Sequence, residues 1–340
     1  MKYDPQLVTI GTRGSALALA QAHHVRELLE KAHPKLRFQL QIIKTTGDKR
    51  QDLSLTKVTQ STKGLFTKEL EVALLRRKID LAVHSLKDLP VELPGGLTLG
   101  AVPKREDPSD FFISKTPGGL DNLPPGATVA TSSLRRKVQL LHARPDLKIA
   151  EIRGNVETRI LKLCESPDYD ALLLASAGLN RLGYRFGQSG AYDTGKLPRS
   201  EAALARAANP FVPAGAEDTY RRVETVYGGK LPLALMLPAV GQAALGIEIR
   251  SDDQRIHDVI SRIHHYATAQ AVAAERSFLL ALGGGCQVPL AAHATCAEGT
   301  TLHLRAVVFD SDGSNRRAAE IKGEAKEAES LGEKLAMQLK

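Results

Sequence analysis

Tryptophan is absent from this 340-residue chain, and aromatic residues make up only 4% of it. Proteins that hold single-stranded nucleic acid use aromatic platforms on which bases stack, so this scarcity argues against that class. No nucleic-acid-binding motif offsets the objection. Cysteine is sparse as well: Cys164, Cys286 and Cys296 are the whole set. They form no CxxC pair and no zinc-like spacing with histidine, so neither a disulfide scaffold nor a structural zinc site is expected. The pairs His23-His24 and His264-His265 point to different faces of their helices and suggest no metal site. No apolar run approaches the ~20 residues that a membrane-spanning helix needs. The opening Met1-Lys2-Tyr3-Asp4 lacks the basic-then-apolar pattern of a signal peptide. The chain is therefore expected in a reducing cytoplasm, with no nucleic acid and no membrane as partner.

What the chain does have is a net charge of +8, spread along its length rather than gathered in a tail. With nucleic acid disfavoured, that excess points to a polyanionic small molecule. At 43% hydrophobic and 25% charged the composition is ordinary for a globular protein. The length exceeds what one core usually serves, so two or three domains are expected.

Short β-like runs alternate with helical patterns through the first half, which reads as α/β. Strands are expected at Leu7–Ile10, Phe38–Lys44 and Leu81–His84. Helices are expected at Ala16–Lys31, with Ser15 as N-cap, and at Leu65–Lys78. Loops follow at Leu89–Gly96 and Lys115–Gly126. A second series then opens: strands near Thr128–Ala130, Lys148–Ile152 and Ala171–Ala175, with helices from about Ser133 and Val156. Between Tyr184 and Pro232 the pattern lapses and reads as an inserted surface segment, with short helices at Ser200–Ala208 and Ala216–Val226. Ala267–Leu282 reads as a helix ending in Gly283-Gly284-Gly285. Strands near Val288–Ala294, Leu302–Phe309 and Arg317–Lys322 and a helix near Ala325–Leu339 complete a small α+β domain.

Arginines recur where strands turn into helices: Arg13 in Gly11-Thr12-Arg13-Gly14-Ser15, Arg135 and Arg136 after Thr131-Ser132-Ser133, Arg153 with Arg159 one turn on, and Arg181 after Ser176-Ala177-Gly178. A cation at a helix N-terminus opposes the helix dipole by ~0.3–1 kcal/mol, so four such placements call for a reason. A bound carboxylate would supply one. The free N–H groups there favour an anion, and the planar guanidinium grips a carboxylate with two parallel hydrogen bonds. Such turns fall at the carboxyl ends of strands, where α/β proteins bind ligands. Arg76-Arg77-Lys78, by contrast, ends a helix, where basic residues suit the dipole.

The segment His84-Ser85-Leu86-Lys87-Asp88-Leu89-Pro90 resembles the active-site loop of hydroxymethylbilane synthases (porphobilinogen deaminases). Ile10–Gln21, Lys63–Leu75, Arg105–Asp110, Ala130–Arg136, Arg153–Arg159, Pro238–Gly246 and Gly284–Pro289 are similar to the family too, and they follow its order. The resemblance implies three domains: two α/β lobes like those of periplasmic binding proteins flanking a cleft, and a small C-terminal α+β domain carrying the cofactor cysteine. The implied bounds are 1–103 with 244–261, 109–237 with an insertion near 184–232, and 266–340. The insertion and a lengthened loop at Lys57–Thr62 depart from the family pattern.

The implied activity is stepwise head-to-tail condensation of four porphobilinogen molecules, with loss of ammonia, on a covalent dipyrromethane primer. Each porphobilinogen loses ammonia to give an electrophilic azafulvene, which the free α-carbon of the growing chain attacks. Water then releases linear hydroxymethylbilane. By the same resemblance, Cys286 carries the dipyrromethane through a thioether, and the preceding glycines allow close backbone approach there. Asp88 is the catalytic carboxylate, placed to help expel the amine and to offset positive charge on the pyrrole nitrogen. Arg13, Ser15, Lys87, Thr131, Ser133, Arg135, Arg136, Arg153, Arg159 and Arg181 bind cofactor or substrate carboxylates. Ser85 and Gln242 line the cleft. Lys63 and Phe66 cover it, Phe66 by stacking on a pyrrole. His84 reads as a packed or hydrogen-bonded strand residue rather than a base. The expected partners are porphobilinogen and oligopyrrole intermediates, with a monomeric enzyme that hands its product to the next pathway enzyme. The rival reading is a non-catalytic, two-lobed binding protein for a polycarboxylate, which the fold alone would allow.

Overall fold

A computed structural model describes residues 4–45, 67–187, 190–193, 225–283, 289–297 and 300–340. It divides into two compact units, one of residues 1–108 with 237–340 and one of residues 109–236.

The first unit opens with β1 (Leu7–Thr12), α1 (Ala16–Ala32) and β2 (Arg37–Ile42). After the expected helix, which is described as α2 (Lys68–Leu75), come β3 (Leu81–Ser85) and β4 (Leu97–Ala101). β1 lies parallel to both β2 and β3. Val8, Ile10, Leu81 and Val83 face one core with Ala22, Val25 and Leu29 of α1, which recur at helical spacing.

The second unit holds β5 (Asp110–Ser114), β6 (Thr128–Ala130), α3 (Leu134–Ala143), β7 (Lys148–Ala150), α4 (Val156–Glu165), β8 (Ala171–Ala175) and α5 (Ser176–Arg181). It ends with β9 (Ala191–Asp193) and β10 (Thr225–Lys230). The strand order is β7-β6-β8-β5-β10-β9, with β6 parallel to β7 and β8, and β5 antiparallel to β8. The ends of the stretch read as a surface insertion are in fact part of this core. Tyr184 and Tyr192 are buried there with Val226. The rings of Phe111, Phe186 and Tyr192 stack in tilted pairs with centroids 4.7 and 5.2 Å apart. Thr225 and Val226, read as the end of a helix, belong to strand β10 instead. Its Gly228-Gly229 pair has weak strand propensity, and pairing with β5 and β9 decides the conformation. The helix expected at Ser200–Ala208 lies outside the described residues.

The chain then returns to the first unit as β11 (Leu245–Arg250) and α6 (Gln254–Ser261). β11 is buried along its whole length between β3 and β4 and antiparallel to both, giving the order β2-β1-β3-β11-β4. The last stretch is α7 (Tyr266–Ala281), β12 (Leu290–Ala297), β13 (Thr301–Val308), β14 (Arg317–Glu324) and α8 (Ala328–Leu339). These strands form a separate antiparallel sheet whose apolar face packs on α7 and α8 through Phe278, Leu304, Leu331 and Leu335. Among the described residues no helix is long and apolar enough to cross a membrane.

Candidate active site

Because β1 and β3 are parallel, they end on the same edge of the first sheet. Half-buried Arg13 and Ser15 follow β1 directly. The Ser15 hydroxyl caps α1, accepting the Ala18 N–H at 3.3 Å. Gln21 of that helix reaches across, its Nε2 donating to Ser85 Oγ at 2.8 Å. The chain leaves β3 in a single 3-10 turn, Leu86–Asp88, held by the Leu86 N–H on the Ala244 carbonyl at 3.0 Å. Leu86 points into the core, while Lys87 and Asp88 are exposed. Gly241 crosses the back of the turn at φ +69°, where an added Cβ would lie 3.3 Å from the Leu86 carbonyl carbon and the Lys87 nitrogen. A side chain at 241 would therefore both strain its own backbone and crowd the turn.

Below this turn, buried His84 places Nε2 2.9 Å from Glu248 Oε2 on the neighbouring strand. Glu71 of α2 joins the cluster. Burial pushes its carboxyl above the ordinary value, the Thr67 hydroxyl draws it down, and Glu248 raises it again. His84 is thus a paired core residue, as its strand position suggested.

In the second unit the parallel strands β6, β7 and β8 also end on one edge. Buried Thr131 and half-buried Ser133 follow β6, the Thr131 hydroxyl accepting from Ser133 N at 3.2 Å and Ser133 capping α3. Arg135 and Arg136 are both buried on Asp110, which opens β5 opposite Ala175. Arg135 Nη1 donates to Oδ2 at 2.7 Å, and Arg136 Nη2 and Nε donate to Oδ1 at 2.8 and 3.1 Å. Burial alone would raise the Asp110 carboxyl, but the two guanidiniums outweigh it and hold it well below the usual range. Past β7, Arg153 pairs with Glu151 at 3.2 Å. Gly154 takes φ +116°, and its carbonyl accepts from Arg159 Nε at 2.8 Å.

Three placements depart from the sequence reading. Arg135 and Arg136 already have a carboxylate inside the protein, because the aspartate that begins β5 comes from the opposite side of the sheet order. Arg181 does not sit at a helix entrance. It ends the six-residue α5, where its charge suits the dipole. Gln242 does not line an open surface: it is buried, and its Nε2 donates to the Pro108 carbonyl at 2.8 Å. Lys63, Phe66 and Cys286, with Lys57, lie outside the described residues.

The sequence reading also missed a junction in the first unit. Glu275 of α7 is fully buried and accepts from Arg105 at 2.6 and 3.2 Å, from the Gly241 N–H at 2.7 Å and from the Ala294 N–H at 2.8 Å. Arg105 and Gly241 lie on the stretches that lead into and out of the second unit. One carboxylate thus ties both to α7 and β12. The available signal was a lone Glu within the apolar, alanine-rich helix.

Residues 8–258 match the family model for porphobilinogen deaminase, dipyromethane cofactor binding domain, and residues 269–340 match the porphobilinogen deaminase C-terminal domain. The chain belongs to the porphobilinogen deaminase family. The porphobilinogen deaminase of Syntrophobacter fumaroxidans is 43% identical over 334 residues, covering 98% of this chain and 94% of that one. That of Desulforudis audaxviator is 46% identical over 332 residues, covering 98% and 94%. That of Geobacter metallireducens is 45% identical over 335 residues, covering 98% and 92%. A solved structure of the periplasmic aliphatic sulphonate binding protein SsuA from Escherichia coli aligns over 82% of this chain and 70% of that one. At 13% identity and a TM-score of 0.35 it carries no argument. Membership in the deaminase family agrees with the mixed α/β fold and does not favour the rival reading as a non-catalytic binding protein.

Proposed function

We propose that this chain is a hydroxymethylbilane synthase in which Asp88 is the catalytic carboxylate and Cys286 carries the dipyrromethane. The supporting observation is the turn after β3. It exposes Lys87 and Asp88 at the carboxyl edge of the first sheet, beside Arg13, Ser15 and Ser85.

A dipyrromethane bears acetate and propionate side chains, and the donors at this edge fit them: a guanidinium, an ammonium and two hydroxyls. Ser133, Arg153 and Arg159 offer the same chemistry at the corresponding edge of the second unit. When bound, the dipyrromethane supplies the free pyrrole carbon to which the first porphobilinogen is joined. Arg13 and Lys87 hold carboxylates and keep the porphobilinogen ring in register with Asp88. An exposed aspartate at a strand end can approach a pyrrole nitrogen without losing a partner among the described residues. There it steadies the positive charge that grows as ammonia departs, and it holds the nitrogen's proton. Arg135 and Arg136 act differently. Their charges are fixed on Asp110, so they set the shape and potential of the second edge. The reading also includes a monomer in a reducing cytoplasm that passes its product to the next enzyme. Sparse cysteine is in keeping with that compartment.

The purified protein is expected to weigh more than its sequence by one dipyrromethane, mapped to the peptide containing Cys286. Asp88→Asn should retain that mass and the parental melting temperature, yet turn over at least ~100-fold more slowly, the lower bound for losing acid–base participation. An active protein of unmodified mass, or an Asp88→Asn variant of near-parental rate, would overturn the proposal.

A further inference from the structure

Arg276 of α7 is half-buried, and among the described residues no carboxylate pairs with it. Its guanidinium instead spans three successive carbonyl groups of the loop that follows Asp88. Nη1 donates to Leu89 O at 3.1 Å, and Nη2 donates to Pro90 O at 2.6 Å and to Val91 O at 3.1 Å. A half-buried cation whose partners among the described residues are carbonyls is a costly arrangement, and burial lowers the pKa of Arg276. The planar fork suits the task, since it can meet neighbouring oxygens along one strip of backbone in a way that a lysine's point charge cannot.

A second, apolar contact joins the same two elements. Val272, one helical turn before Arg276, is buried with Leu86 and Leu89, and Ala269 packs against the same cluster. Ala269, Val272 and Arg276 therefore form one face of α7 laid along the turn and loop that present Asp88. The same helix runs on to Ala281, and Cys286 follows Arg276 by ten positions.

We propose that Arg276 is a positioning residue for the condensation: it fastens the loop behind Asp88 to the helix that leads to Cys286, so that carboxylate and tether stay in register through successive additions. The inference rests on Asp88 and Cys286 having the roles given above. Without the clamp, Leu89–Val91 would take water in place of the guanidinium and the Asp88 turn would shift on its apolar contacts alone. Small misplacement of a catalytic group is enough to slow a reaction by up to ~100-fold.

The test is steady-state kinetics of the holoenzyme with porphobilinogen for Arg276→Gln and Arg276→Lys, with intact mass and melting temperature measured alongside. Arg276→Gln is expected to carry the dipyrromethane normally and to lose kcat by ~10- to 100-fold, with KM within about twofold of the parent. Arg276→Lys, which keeps the charge but reaches fewer of the three carbonyls, should recover only part of that loss. A merely structural role would lower melting temperature and active fraction while leaving kcat per holoenzyme unchanged. That result, or a KM rise with kcat intact, overturns the inference. If Arg276→Gln does not fold, Arg276→Lys decides: a kcat per holoenzyme equal to the parent's overturns it, and a reduced kcat at unchanged KM supports it. An unmodified Cys286 in the parent protein, or a fully active Asp88→Asn, would instead remove the reading on which the inference depends.

Discussion

The two larger sheets share a plan but treat charge in opposite ways. Each sets three parallel strands side by side, β2-β1-β3 and β7-β6-β8, and then adds an antiparallel strand from another part of the chain, β11 or β5. At the carboxyl edge of the first sheet the charged residues Lys87 and Asp88 are exposed. At the corresponding edge of the second, Arg135 and Arg136 are buried on Asp110. The difference follows from the added strand. β11 meets β3 with apolar Leu245 opposite Ser85, leaving the turn beyond free to project, whereas β5 brings in a carboxylate at its first residue. One edge therefore presents exposed charge, the other a fixed electrostatic frame.

Mutation should separate the two. The largest effect on stability is expected from Asp110→Ala, which leaves two guanidiniums buried without their carboxylate and should cost about 3–5 kcal/mol in denaturant unfolding. Its counterpart Asp88→Ala should be nearly silent in the same measurement. Equal effects would erase the contrast. The Asp110 contribution also has a pH signature. Its folded carboxyl titrates below the unfolded value of 3.8, so the stabilisation is complete above that value and is lost as pH falls towards the folded one.

A smaller loss, about 1–3 kcal/mol, is expected for Glu248→Gln, which weakens the buried contact with His84. Because this pair lies directly beneath the Asp88 turn, a fall in kcat alongside the lost stability would show that the exposed chemistry of the first sheet depends on its buried support.

The smallest effect should come from Glu157 on α4. Burial raises its carboxyl and its own backbone N–H lowers it, with the raising effect the larger. Its contribution is therefore fullest below the unfolded value of 4.5 and declines as pH rises through the folded one. Glu157→Gln should gain slightly in melting temperature at about pH 8 relative to about pH 4, and a gain that ignores pH would contradict this.

Strong local patterns made much of this legible in advance. Ser15 announced its helix as a cap, a second helix was expected from about Ser133, and both serines are caps. The apolar runs at Leu81 and Ala171 read as strands because buried parallel strands are apolar on both faces. Elements set by distant partners were harder to read. Leu97–Ala101, Asp110–Ser114 and Leu245–Arg250 were missed because short strands beside glycine and proline acquire their conformation from the neighbours they pair with. The site shows the same divide. The placement of Arg13 and Ser15 after β1 could be anticipated from the turn between strand and helix, whereas Ser85, Lys87 and Asp88 were singled out only by the family resemblance. The pairing of Arg135 and Arg136 with Asp110 could not be anticipated, since nothing local joins positions 25 and 26 residues apart. Nor could the hold of Arg276 on Leu89–Val91 be read from sequence, since those residues meet only through the packing of α7.

The place of β11 has a bearing on how the molecule is made. β3 and β4 emerge early in synthesis, yet the strand that must lie between them is Leu245–Arg250. Until a ribosome has passed that point, both strands offer unsatisfied backbone edges, a state open to pairing with other chains. The first sheet to be started is thus finished only after the entire second unit has been translated, and a nascent chain halted in between would be a natural client for a holding chaperone.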